Sequence, residues 1–151
     1  MRALIQRVKR ANVSVEGSLR GEIEKGLVIF LGIKQGDTEK AALYLAQRCA
    51  NLRIFGDEQG NMNLSAKDVG GSALVVSQFT LYADTRKGNR PSFTEAAPAQ
   101  LAEPLYEKFV QSLKLELGED RVCTGVFRAM MDISLVNDGP VTLTVESKEA
   151  S

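Results

Sequence analysis

The chain contains no histidine, and that absence removes several chemistries at once. A Ser-His or Cys-His nucleophile, an imidazole general base and an imidazole metal ligand are all excluded. Catalysis, if any, must work by other means. Cysteine is scarce as well. Cys49 and Cys123 lie far apart and form no C-x-x-C pair, so they read as reduced, buried thiols rather than as a disulfide framework or zinc site. An excess of one charge is also missing, since 19 basic residues face 19 acidic ones. That balance weakens a nucleic-acid reading without closing it, because a local basic patch suffices. No apolar run approaches membrane-spanning length, and the opening MRALIQRVKRANVSVEG has no apolar signal core. The expectation is a cytoplasmic protein that does not engage a membrane.

What is present reads as a single domain over residues 1–151, long enough to bury a substantial core without disulfide or metal. Ala3–Val8 and Asn12–Glu16 read as two short strands, followed by a Gly17-Ser18 turn and a polar edge strand over Leu19–Glu24. Leu27–Ile33, apolar throughout, reads as a central strand. Asp37 or Thr38 can cap a helix with Ala41, Leu45, Cys49 and Leu52 on one face. Turn chemistry dominates from Ile54 to Gly71. Leu101, Leu105, Phe109, Leu113 and Leu117 predict a second helix over Ala99–Leu117, either kinked at Pro104 or starting there. Strands over Cys123–Phe127, Ala129–Val136 and Val141–Glu146 complete the chain. The pattern predicts an α+β fold: a curved antiparallel or mixed sheet forming a partly closed β-barrel, with two helices packed outside.

The stretch Ser72–Asp84, SALVVSQFTLYAD, breaks its own pattern. Ala73–Val76 is a core-strand run, but Ser77, Gln78 and Thr80 then place two hydroxyls and a carboxamide where burial is expected. Alternation over Ser72–Tyr82 would put Gln78, Thr80 and Tyr82 on one face of a continued strand. Each unpartnered buried polar group costs about 1 to 3 kcal/mol. The bland account is a satisfied structural sheet; the sharper one is a site. A second unusual segment, Asn137-Asp138-Gly139-Pro140-Val141-Thr142, supports the sharper account. The loop after the first segment, Thr85–Phe93, carries Arg86, Lys87 and Arg90, which are either solvated charges or a phosphate-contacting lip.

Ser77-Gln78-Phe79-Thr80-Leu81 together with Asn137–Thr142 resembles the paired signatures of the D-aminoacyl-tRNA deacylase family. The resemblance extends over the chain through ALIQRV, VSVEG, the RIF of Arg53–Phe55 and the RPSF of Arg90–Phe93. It implies hydrolysis of the ester between a D-amino acid and the terminal adenosine of tRNA, and since the sequence shows no metal-ligand cluster, no cofactor is expected. Ser77, Gln78, Phe79 and Thr80 are then the catalytic segment, with main-chain N–H groups around Phe79 and Thr80 as oxyanion donors, oriented by Ser77 and Gln78. One such preorganised donor contributes about 2.7 to 4 kcal/mol. Thr80 is either a nucleophile or a bystander, and the missing base argues for the bystander. The resemblance further implies a homodimer with active sites at the subunit interface. In it a cis Gly139-Pro140 from the partner would select chirality by leaving no room for an L side chain, and glycyl-tRNA would be cleaved. Arg7 and Met131 are candidate braces of that turn, and Arg86, Lys87 and Arg90 candidate tRNA contacts. Two alternatives stay open: a non-catalytic nucleic-acid module, and a general esterase.

Overall fold

The computed structural model of the chain describes residues 1–148. Its first strand, β1 (Arg2–Val15), is one 14-residue element where two short strands were expected. The apparent break at Lys9-Arg10 is a bulge. Val8 pairs with Asn137 and Arg10 with Val136, so Lys9 is left without a partner and both basic side chains point to water. Glu16 and Gly17, with φ of 50° and 81°, make the two-residue turn into the edge strand β2 (Ser18–Ile23). β2 lies along the second half of β1, and β3 (Gly26–Gly32) lies along the first half.

From β3 the sheet continues in parallel through β6 (Ser72–Ser77) to β7 (Val122–Thr124). The last strand, β8 (Asp132–Glu146), runs antiparallel along the opposite edge of β1. It replaces two expected strands with one. A small hairpin, β4 (Phe55–Gly56) and β5 (Met62–Leu64), occupies the stretch read as turns. Parallel neighbours need crossovers, and α1 (Glu39–Asn51) and α3 (Ala99–Leu117) supply them. Thr38 caps α1, its hydroxyl accepting from the Ala41 N–H at 3.3 Å. Asp37 instead receives the Met1 amine at 2.9 Å. A third helix, the single turn α2 (Ala66–Val69), is held by a Ser65/Asp68 capping box.

α3 does not start at Pro104; it begins after Pro98 and runs 19 residues with Pro104 inside it. Pro104 deprives only the Gln100 carbonyl of its donor, and both residues are exposed, so water can satisfy that oxygen.

The central strands are apolar on both sides because both sides are covered. Ile5, Leu27, Ile29, Leu31, Ala73 and Val75 face a core shared with Leu45, Phe109 and Leu113 of the helices. Val8, Val13, Val28, Leu74 and Val76 face a second cluster inside the curved sheet, closed by Ile133 and Leu135 of β8. Each fully buried aliphatic or aromatic side chain stabilises by about 1.5 to 3 kcal/mol, so this layering fixes where β6 must end. Cys49 is buried, and burial pushes its thiol up to about 12. Cys123 is only half-buried, against expectation, because β7 is a three-residue strand near the edge. No helix among the described residues is long and apolar enough to cross a membrane.

Candidate active site

β6 does not continue to Tyr82. At Ser77 the buried run stops, the Gln78 N–H takes the Leu31 carbonyl of β3 at 2.8 Å, and Phe79–Tyr82 coil into one 3-10 turn. The turn is closed by Leu81 N–H to Gln78 O at 3.2 Å and Ala83 N–H to Thr80 O at 3.0 Å. The first N–H groups of any helix lack internal acceptors. Among the described residues those of Phe79 and Thr80 have none from elsewhere either. They are donors left open at the exposed end of a buried strand.

The side chains around this turn are arranged to hold it. The Gln78 carboxamide donates to the Thr80 hydroxyl, so both are turned toward each other rather than set on one face of a strand. Ser77 accepts the Arg128 N–H at 3.2 Å. Phe79, 37% exposed, packs edge-on against Phe93 at 5.2 Å between ring centres, which ties the RPSF loop to the turn. Arg2 reaches in from β1, donating to the Leu81 carbonyl at 2.7 Å with its guanidinium over the Tyr82 ring. Burial pushes the Tyr82 phenol well above its ordinary range.

Gly32 is the close approach on which this packing rests. A Cβ there would lie 3.0 Å from Leu81 Cβ and 3.1 Å from the Gln78 carbonyl oxygen. Gly32→Ala should therefore displace the turn by a few tenths of an ångström. We expect turnover about tenfold lower with the thermal midpoint shifted by only a few degrees, read by paired kinetics and melting.

Asn137–Thr142 is not a turn between strands but a bulge inside β8. Val8 pairs with Asn137 and Gln6 with Thr142, so four residues, Asp138–Val141, stand opposite Arg7 alone. Asn137 clamps the base: its carboxamide oxygen accepts the Val141 N–H at 2.8 Å, and its nitrogen donates to the Val141 carbonyl and the Thr142 hydroxyl at 3.2 Å. Arg7 supports the tip, donating to the Asp138 carbonyl at 2.8 Å and the Ile54 carbonyl at 2.6 Å. The Gly139–Pro140 peptide at the tip is cis, and both residues are exposed. Met131 lies elsewhere in the same chain, with its sulfur against Gly125 and its side chain on the inner cluster.

The bulge and the turn are separated within one chain. Arg7 pairs with Leu27 on β3, whereas Ser77 pairs with Leu31, four residues further along. Adding the strands between β8 and β6, the separation is about 20 Å from standard sheet spacings. A cavity of about 580 Å³, lined by Met1, Lys34, Asp37, Tyr44 and Tyr82 among others, contains neither.

Of the basic loop residues, Arg86 is tied to Asp84 by paired bonds of 2.8 and 2.9 Å, and that contact holds the Asp84 carboxyl down at about 2. Lys87 and Arg90 are exposed. Sequence reasoning missed Arg128. It sits at a φ of 62°, a left-handed backbone that costs a non-glycine residue roughly 1 to 2 kcal/mol, and its guanidinium lies 4.8 Å over Phe79. Nothing in VFRAMM marked it beforehand, because a single basic residue between short apolar pieces carries no period. No group of three or more carboxylates or thiols among the described residues is placed to hold a metal ion.

The chain is a six-stranded α+β sheet with crossover helices, and the family and relatives that it matches over nearly all its length place it among hydrolases that act on ester bonds. The family described as D-Tyr-tRNA(Tyr) deacylase matches residues 4–146, and the chain belongs to that family. The D-aminoacyl-tRNA deacylase of Desulfatibacillum aliphaticivorans is 60% identical over 148 residues, 98% of this chain and 100% of its own. That of Halalkalibacterium halodurans is 58% identical over the same shares of the two chains. Among solved structures, the c-Myc DNA Unwinding Element Binding Protein superposes with a TM-score of 0.93 at 39% identity, covering 99% of this chain and 100% of its own. A probable eukaryotic D-amino acid tRNA deacylase shares the fold, with a TM-score of 0.82 at 16% identity and coverage of 96% and 98%.

Proposed function

We propose that the chain hydrolyses the ester joining a D-amino acid to the terminal adenosine of tRNA in the cytoplasm. It would do so as a homodimer in which the Gly139–Pro140 tip of one copy meets the Ser77–Thr80 turn of the other. The observation that carries this reading is the pair of unpartnered N–H groups at Phe79 and Thr80, exposed where a buried strand ends. Water adds to the acyl carbon, the carbonyl oxygen takes up negative charge against those two donors, and the ribose oxygen leaves with the proton that water gives up. The products are the free D-amino acid and tRNA. No imidazole is needed, since an ester beside a vicinal hydroxyl is a reactive one and donors aimed at the oxyanion stabilise the transition state directly.

Chirality is read by exclusion. Main-chain atoms of the partner's bulge would stand where an L side chain must point, while a D side chain faces solvent. Glycine has nothing to exclude, so glycyl-tRNA(Ala) is a substrate as well. The exposed, two-point tether of the tip supports this reading, as does its distance from the turn in the same chain. Lys87 and Arg90 would contact the tRNA.

The deciding assay is parallel incubation with D-tyrosyl-, L-tyrosyl- and glycyl-tRNA in the presence of chelator. Release from the D-tyrosyl and glycyl substrates with the L-tyrosyl ester spared is the expected pattern. Equal release of both tyrosyl enantiomers would sink exclusion. In the same assay Thr80→Ala should keep most turnover; a loss near a thousandfold would make its hydroxyl a participant. The name of one solved neighbour points to nucleic-acid binding by that protein, so binding of D-tyrosyl-tRNA without cleavage would favour a non-catalytic role here.

A further inference from the structure

We propose that Arg128 is a substrate-binding residue that grips the phosphate on the 5′ side of the terminal adenosine, an inference that rests on reading the Ser77–Thr80 turn as the place of ester cleavage. Two of the arginines beside the turn are already engaged. Arg86 is paired with Asp84, and Arg2 with Glu146 and the Leu81 carbonyl. Arg128 has no carboxylate partner among the described residues.

It is nevertheless held in place. One guanidinium nitrogen donates to the Ala97 carbonyl at 2.8 Å, and its own main-chain N–H donates to the Ser77 hydroxyl at 3.2 Å. The guanidinium carbon stands 4.8 Å from the Phe79 ring centre and 5.5 Å from that of Phe127. Two aromatic rings thus lie within cation–π range of it, and the nitrogens not bonded to Ala97 are what remain to bind. A planar array of N–H donors suits a phosphate, which accepts two parallel hydrogen bonds. With the acyl oxygen on the Phe79 and Thr80 N–H groups, the ribose follows directly. The nearest negative group of the substrate is then the 5′ phosphate of that same nucleotide. The left-handed backbone at Arg128 adds to the argument: glycine would adopt it freely, yet the chain places there the residue whose side chain reaches back over Phe79.

Binding is the readout, so that the test does not depend on turnover. Two non-hydrolysable ligands are compared by titration: D-tyrosine linked through an amide to the 3′ end of a short CCA-ended RNA, and the same amide on adenosine alone, which has no phosphate. Arg128→Gly keeps the left-handed backbone and the N–H to Ser77 while deleting the fork. It should weaken the RNA ligand about tenfold, lower the salt slope of its binding by about 0.7, and leave the nucleoside ligand unchanged. Arg128→Lys should fall between the two. Equal weakening for both ligands would make Arg128 a structural prop, and unaltered RNA binding would remove it from the site; either overturns the proposal. A wild-type protein that binds the RNA ligand with the Arg128-dependent salt slope but fails to cleave D-tyrosyl-tRNA would sink the cleavage reading and leave the phosphate contact standing.

Discussion

Deleting Gly139–Val141 should reduce the preference for D- over L-tyrosyl-tRNA roughly a thousandfold, about 4 kcal/mol of lost discrimination. Val8 pairs with Asn137 and Gln6 with Thr142, so removing three residues leaves Asp138 alone opposite Arg7 and restores an ordinary ladder. The strand is shortened without a register slip, and its flanking side chains keep their faces. What vanishes is the projecting tip. The cost to the fold is the burial of Val141, about 1.5 to 3 kcal/mol, which thermal melting can track. A milder arm, Arg7→Ala, removes the donors to the Asp138 and Ile54 carbonyls while leaving the tip in the chain. It should lose part of the discrimination. Parallel deacylation of both tyrosyl enantiomers reads the ratio, and a deletion variant that stays folded and still spares the L ester would refute the assignment of chirality to this bulge.

The second large effect is expected from the main chain itself. Phe79→Pro deletes one of the two unpartnered N–H groups, and Phe79→Ala deletes the ring while keeping the N–H. The difference between them isolates the donor. Gln78, at φ −145° and ψ 77°, lies outside the helical region that a following proline excludes, and Phe79 is the first residue of its turn, where proline fits. The alanine variant loses the contact with Phe93 and the platform under Arg128. Relative to it, the proline variant should show kcat lower by about a hundred- to a thousandfold, the range for loss of one oxyanion donor. Turnover equal to that of the alanine variant would move the oxyanion site elsewhere.

How far the molecule could be read in advance differs from element to element. β3 and the buried part of β6 were legible because both faces are covered, which leaves an unbroken apolar run. The helices α1 and α3 were legible from period and caps. The end of β6 was not: over four residues, alternation and a 3-10 turn place polar side chains almost alike, and what ends the strand is a bond from Gln78 to Leu31, far away in sequence. β1 and β8 each read as two pieces, because a bulge imitates a turn when only one strand of the pair is in view. α2 did carry a local signal in Ser65-x-x-Asp68, too short to stand out beside its glycines. The two candidate segments stood out by residue type and by resemblance. Arg128, beside the first of them, was invisible because it is brought to Ser77 only by the loop that follows β7.

The spacing between tip and turn along β3 sets a consequence for the proposed pair. If each reaction centre takes its floor from one polypeptide and its gate from another, a pair of copies holds two centres, and each copy contributes to both. Damage to the floor in one copy and to the gate in the other then falls on the same centre. A mixed pair of a floor-damaged copy, which cleaves neither ester, and a gate-damaged copy, which cleaves both, would keep one whole centre, and that centre would cleave the D ester and spare the L one.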